Sequence, residues 1–267
     1  MREGKVHSNG IQLHYEDWGN VSDPVILLVC GMSTQLIHWP DSLVNNLVEH
    51  GYRVIRFDNR EAGLSDRSHL KKMPPVVSNF FKNKIGLKVK ADYDLHTLVK
   101  DAVGLLDALD IQEPIHLVGH DWGAVIAWAF CLAHPDKVRA SVNMSVGHPE
   151  SYRRSGISQK FVKGFYTLWF QLIGVAEFYL KAGGFKNWLG RHPEPNITIN
   201  KMLRKGRLTA GLSWYRANFS RILFKAWPQC TVPTLSIWSE HDDYLTEKHV
   251  RDTEKYMSAK RDSNKVE

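Results

Sequence analysis

The stretch Leu117-Val-Gly-His-Asp-Trp-Gly-Ala124 decides how this chain folds. It leads from an apolar run, Pro114-Ile-His-Leu-Val-Gly119, into a helix predicted over Gly123 to His134. Gly119 and Gly123 stand two residues on either side of Asp121. A strand that turns so sharply into a helix leaves no room for a side chain at those two positions, which is why glycine is required there. Asp121 is thereby presented at the carboxyl end of a strand, where open parallel sheets bind ligands. The free N–H groups of the helix start add a positive potential that favours an ionised carboxylate. Taken alone, Gly-x-Asp-x-Gly reads more plainly as an ordinary strand-to-helix turn with an aspartate cap.

Outward from this turn the same rhythm repeats. Pro24 to Cys30, Arg53 to Phe57, Arg139 to Met144 and Pro233 to Trp238 are short apolar runs of the kind buried on both faces of a sheet. Helix-length stretches separate them: Asp41 to His50, Leu95 to Leu109 and Thr246 to Tyr256. In the second, Leu98, Val99, Ala102, Val103, Leu105, Leu106 and Leu109 follow helical spacing. The alternation predicts an α/β fold, a mostly parallel sheet with helices on both faces. Lys5 to His7 and Gln12 to Trp18, joined by Ser8-Asn9-Gly10, predict an antiparallel hairpin at one edge.

The chain has 267 residues, 43% hydrophobic and 24% charged, enough for one globular domain carrying an insertion and unlike a disordered chain. Residues 150–226 break the strand-helix rhythm and are expected to form a helical cap, or lid, between core segments 1–149 and 227–267. Residues 151–226 hold 14 Lys/Arg against two acids, Glu177 and Glu194, so the formal net charge of +7 resides in the insert. No nucleic-acid-binding motif accompanies it, and solvated helix faces are the plain reading. Neither nucleic acid nor a membrane surface is expected as a partner. Phe161 to Leu180 contains Lys163, Gln171 and Glu177 and reads as a buried or amphipathic helix rather than a membrane span.

Cys30, Cys131 and Cys230 are odd in number, far apart and outside any CxxC spacing. They predict buried thiols in a reducing compartment, with neither a disulfide framework nor a zinc site. No cofactor or metal is expected. The polar start MREGKVHSNG lacks the apolar stretch of a secretory signal, which makes cytoplasmic residence the expectation. Oligomeric state is left open.

Gly119-x-Asp121-x-Gly123 in its strand-to-helix setting has the shape of the nucleophile elbow G-x-S-x-G, with aspartate in place of serine. With the elbow reading GHDWG, the sequence resembles the α/β-hydrolase superfamily, and within it the branch of epoxide hydrolases and haloalkane dehalogenases, over nearly its whole length. The resemblance implies an Asp121 that displaces at carbon and forms an alkyl ester, which water then cleaves. Tyr166-Thr-Leu-Trp-Phe170-Gln171-Leu-Ile-Gly174-Val-Ala-Glu177 and Ser213-Trp214-Tyr215-Arg216 match segments carrying the two lid tyrosines of epoxide hydrolases. In such enzymes both phenols donate to the epoxide oxygen as it acquires charge. Each tyrosine alone is more simply a packing residue.

The resemblance further implies an oxyanion site built from the backbone N–H groups of Trp122 and Met32, the latter within Cys30-Gly31-Met32-Ser33, where the family has His-Gly-x-Pro. Haloalkane dehalogenases place asparagine at the position of Met32. Its absence, with both tyrosines present, favours a small apolar epoxide as substrate over a haloalkane. Trp39 matches a family tryptophan expected to line the pocket, with core packing an equal alternative. Asp58 to Asp66, containing Gly63 and Ser65, reads as a structural turn.

Ester cleavage needs a histidine to activate water and an acid to orient it. Asp242, in Ser239-Glu240-His241-Asp242-Asp243, takes the family's acid position, with Asp243 as the alternative. The family's histidine follows one strand later, some 25 to 30 residues beyond the acid. Here 254-EKYMSAKRDSNKVE-267 contains none. His120, His148, His241 and His249 fit the role badly. The expectation is a truncated chain: Asn264 to Glu267 begins the missing strand, the sheet lacks an edge strand and its covering helix, and turnover is slow. The alternatives are a haloalkane dehalogenase and a non-catalytic hydrolase-fold protein that binds a small apolar ligand.

Overall fold

Val25–Val29, a run of five apolar residues buried on both sides, is the central strand β3 of the molecule. The structure, a computed structural model, describes residues 1–32, 34–66, 92–156, 159, 163–184 and 206–258. Among them seven strands form one sheet: β1 (Arg2–Ser8), β2 (Ile11–Trp18), β3, β4 (Arg53–Phe57), β5 (Ile115–His120), β6 (Val138–Met144) and β7 (Thr234–Ile237). The strand order is β1-β2-β4-β3-β5-β6-β7. The β1–β2 hairpin and the β2–β4 pairing are antiparallel, and every later pairing is parallel.

Side chains of β3 alternate between two cores, as the two-residue period of a strand requires. Leu27 and Val29 face a large cluster with β5 and helices α2 (Leu95–Ala108) and α3 (Trp122–Ala133). Ile26 and Leu28 face a smaller cluster under α1 (Asp41–Glu49). α2 buries the stripe Leu98, Val99, Ala102, Leu105 and Leu106, and begins where the Asp94 side chain accepts the Thr97 amide at 2.8 Å. α3 is apolar nearly all round, as a helix covered on all sides must be. The three cysteines are free and buried.

Between β6 and β7 the described residues are helical: α4 (Pro149–Arg154), α5 (Phe165–Trp169), α6 (Val175–Tyr179) and α7 (Arg207–Phe224). The single helix expected over Phe161 to Leu180 is therefore two. Gly174, at φ 85°, breaks it, and the Glu177 carboxylate accepts the Gly174 amide at 2.8 Å. A left-handed residue stops a right-handed helix, and glycine adopts that conformation without steric cost. Arg216 of α7 ties the pieces together, donating Nη1 and Nη2 to Glu177 at 2.7 and 3.0 Å and Nε to the Phe170 carbonyl at 2.8 Å.

The turn after β4 is structural, as its sequence suggested. Asp58 accepts the Leu36 amide at 2.9 Å, the Leu64 amide at 2.9 Å and pairs with His14 Nδ1 at 3.0 Å. The helix expected over Thr246 to Tyr256 divides into α8 (Glu247–Arg251) and a tighter turn over Asp252–Tyr256. β7 pairs only with β6 among the described residues, and its Leu235 and Ile237 stay 59% and 44% exposed. The expected strand beginning at Asn264 lies outside the described residues. No described helix is long and apolar enough to cross a membrane.

Candidate active site

Asp121 lies between β5 and α3 at φ 54°, ψ −127°, a conformation that L residues rarely adopt. Its side chain caps nothing, so the plain cap reading of the turn does not hold. The flanking glycines are needed for the approach of backbone to backbone. A Cβ on Gly119 would lie 2.4 Å from the Gly123 carbonyl oxygen, and one on Gly123 would lie 2.1 Å from that of Val29.

The turn aims the carboxylate at two backbone donors. Met32 N–H donates to Asp121 Oδ2 at 3.2 Å, and the Trp122 N–H also donates to the carboxylate. Burial pushes the Asp121 carboxyl above its ordinary range, and the charge of Asp242 adds to the rise. The two amides and nearby His120 pull the other way without cancelling it.

α5 and α7 bring two phenols to the same place. The rings of Tyr166 and Tyr215 stand edge to face with centroids 5.8 Å apart, and Tyr215 packs on Trp122 at 4.9 Å. The two hydroxyls hydrogen-bond each other, and both feel the charge of Asp121. Burial pushes both phenols far above their ordinary pKa, so they stay protonated and able to donate.

Asp121, Trp122, Tyr166 and Tyr215 line one cavity of about 710 Å³ including its open mouth. Its remaining wall is mainly apolar, with Val125, Tyr152, Phe219, Ile222, Leu223 and Leu245. Sequence reasoning did not single out these residues. Phe219 and Ile222 follow Tyr215 at i+4 and i+7, a helical spacing that places all three on one face and offered a usable signal. Tyr244, whose ring lies 5.3 Å from that of Tyr166, gave no such signal.

Asp242 follows β7 in a turn where its Oδ1 accepts the amides of Tyr244 and Leu245, each at 2.8 Å. Lys163 Nζ donates to the Asp242 carbonyl at 2.6 Å and joins the inserted segment to this turn. Among the described residues no histidine hydrogen-bonds the carboxylate of Asp121 or of Asp242. His241 is 84% exposed. His148 and His249 are buried side by side, and burial lowers both to about 4. Trp39 packs with Ile26, Leu28, Val44 and Val54 in the smaller core and is not among the residues lining this cavity.

A parallel sheet with an antiparallel leading hairpin, a strained acid turn after the fifth strand and a helical insertion after the sixth define a recognisable class. The family described as alpha/beta hydrolase fold matches residues 24–264, and the chain belongs to it. Within that family it is epoxide hydrolase-like. It is 38% identical over 180 residues to epoxide hydrolase 2 of Siraitia grosvenorii, a match spanning 64% of this chain and 48% of that protein. It is 27% identical over 264 residues to the AB hydrolase superfamily protein YfhM of Bacillus subtilis, across 94% of this chain and 85% of its relative. The crystal structure of epoxide hydrolase A from Mycobacterium thermoresistibile superposes with a TM-score of 0.75 at 25% identity, covering 97% of this chain and 88% of the other.

Proposed function

We propose that the chain opens epoxides through a covalent ester at Asp121. The observation that carries this reading is the convergence of Tyr166 and Tyr215 on the Asp121 carboxylate within one largely apolar cavity. A carboxylate oxygen of Asp121 forms a bond to an epoxide carbon as the ring C–O bond breaks. The electron pair stays on the ring oxygen, which takes a proton from a tyrosine hydroxyl, and that tyrosine regains one from water. Donors held where charge develops stabilise the transition state more than the ground state. The amides of Met32 and Trp122 hold the carboxylate and later receive the oxyanion formed when water attacks the ester.

Cleavage of the ester releases the diol, with Asp242 as the acid that orients a base. No described histidine bridges the two carboxylates, so the ester outlives its formation. Residues 150–226 serve as the cap that carries both phenols. Incubation with styrene oxide followed by intact-mass analysis tests the reading. The expected product is the protein plus one whole epoxide, mapped to Asp121 and absent in Asp121→Asn. An unmodified mass would overturn the nucleophile, and sustained diol release would overturn the persistent ester. Halide release from a haloalkane, without reaction with epoxides, would favour the dehalogenase reading.

A further inference from the structure

The wall of the cavity carries a third phenol that the chemistry at Asp121 does not use. Val146, Pro149 and Tyr152, at the entry to the insert, line the same space as Asp121, Tyr166 and Tyr215. α4 and the residues before it are pinned to α8 and the turn that follows. The Gly147 N–H donates to His249 Nε2 at 3.0 Å, the His148 N–H to Thr253 Oγ1 at 2.8 Å and the Ser151 hydroxyl to the His249 carbonyl at 2.6 Å. The Tyr152 ring stands edge to face on the His249 ring, with centroids 5.5 Å apart. These contacts fix where the phenol stands.

Among the described residues the Tyr152 hydroxyl makes no hydrogen bond, and burial alone pushes the phenol up to about 12, so it stays a neutral donor. Tyr166 and Tyr215 hydrogen-bond each other, and both feel the charge that an ionised Tyr152 would carry without bonding to it. Tyr152 thus stands near the pair but apart from it. An oxygen that it holds is a different one from the oxygen held by the pair. The rest of the wall is mainly apolar, and among the described residues Asp121 is the one charged side chain that lines it. A wholly apolar substrate would strip water from the Tyr152 hydroxyl and leave it unpaired, a cost that a substrate with an acceptor at that place avoids. A carboxylate there would face Asp121 with no cation on the wall to offset it.

We propose that Tyr152 forms a second oxygen-binding subsite of the cavity, donating to an uncharged ether or hydroxyl oxygen beside the epoxide ring, so that the chain selects oxygen-substituted epoxides of the glycidyl ether kind. This deepens, and rests on, the reading of the cavity as an epoxide site. Judged by its apolar wall alone, the cavity would favour hydrocarbon epoxides. A fixed donor discriminates against analogues that lack the matching acceptor.

The test compares phenyl glycidyl ether with its carbon analogue, in which a methylene replaces the ether oxygen, by timing adduct formation at Asp121 through intact mass. The ratio of the two rates should favour the ether by about three- to tenfold more in the unaltered chain than in Tyr152→Phe, which keeps the ring on His249 and removes only the hydroxyl. Comparing ratios cancels the different intrinsic reactivity of the two epoxides. Tyr152→Leu, which also lacks the hydroxyl, should give the Tyr152→Phe ratio, and thermal melting establishes that each variant is folded. Titration of the same pair into Asp121→Asn, with and without Tyr152→Phe, reads the preference as binding through tryptophan fluorescence, since Trp122 lines the cavity. An ether preference that Tyr152→Phe leaves unchanged would overturn the subsite, and adducts at Asp121 in the same samples would leave the reaction there intact. No adduct from either epoxide, beside a binding preference that Tyr152→Phe abolishes, would overturn the reaction and uphold the subsite.

Discussion

Asp121 combines backbone strain with a desolvated charge. Its positive φ costs on the order of 1–3 kcal/mol for a non-glycine residue, offset by the surrounding packing. Its carboxyl titrates above the usual range in the folded state, so holding it ionised at neutral pH opposes folding. Asp121→Asn keeps an acceptor for the Met32 amide and removes the charge. It should therefore abolish the epoxide adduct while raising stability at pH 7 by about 1 kcal/mol, read as a higher melting temperature. The same shift predicts that alkylation slows as pH falls through a midpoint above 3.8, because only the ionised carboxylate attacks. Tyr166→Phe and Tyr215→Phe should each slow adduct formation by roughly 10- to 100-fold and leave its site at Asp121, as followed by time-resolved mass measurement. Gly123→Ala should prevent folding, since the added carbon would lie 2.1 Å from a backbone oxygen that cannot move aside.

The helices of the insert depend on buried charge in place of long apolar stripes. Arg216 and Glu177 are both buried, and removing one leaves the other unpaired. Arg216→Ala should destabilise by about 3–5 kcal/mol in urea unfolding, with loss of adduct formation as α5 and Tyr166 are released. α4 and α8 share the buried pair His148 and His249. Folded values near 4 lie below the ordinary 6.5, so the unfolded chain binds more protons between those limits and stability falls as pH drops through that window. At pH 5 the loss should be about 2 kcal/mol per histidine relative to pH 7, measurable by urea titration at both pH values. These helices were the least legible elements in the sequence. Strands such as Arg53–Phe57 announce themselves by continuous apolar runs, but α5 and α6 are apolar on all sides and show no period. What divides them is the left-handed Gly174, which a composition window does not register.

In the molecule as a whole, the mostly parallel sheet and its antiparallel edge hairpin were legible because each strand run is short, apolar and flanked by turn residues, whereas the order of the strands came only from the structure. Asp121, Tyr166 and Tyr215, each picked out by a motif, line one cavity. The site was not legible where side chains meet through tertiary packing, as at Tyr152, Tyr244 and the wall formed by Phe219 and Ile222. Trp39 illustrates the converse, since position in a motif does not say which side of β3 a side chain packs on.

β6 and β7 are hydrogen-bonded neighbours, yet Met144 and Thr234 are separated by the whole insert. On a ribosome adding about 5–20 residues per second, the intervening stretch takes roughly 5–20 s to synthesise. Throughout that interval β6 is the open side of a half-built sheet, paired with β5 but without β7 beside it, and the turn at Asp121 has already been synthesised. Until β7 is made, that side of the sheet stays open to other chains, and the time the insert takes to emerge sets how long it does so.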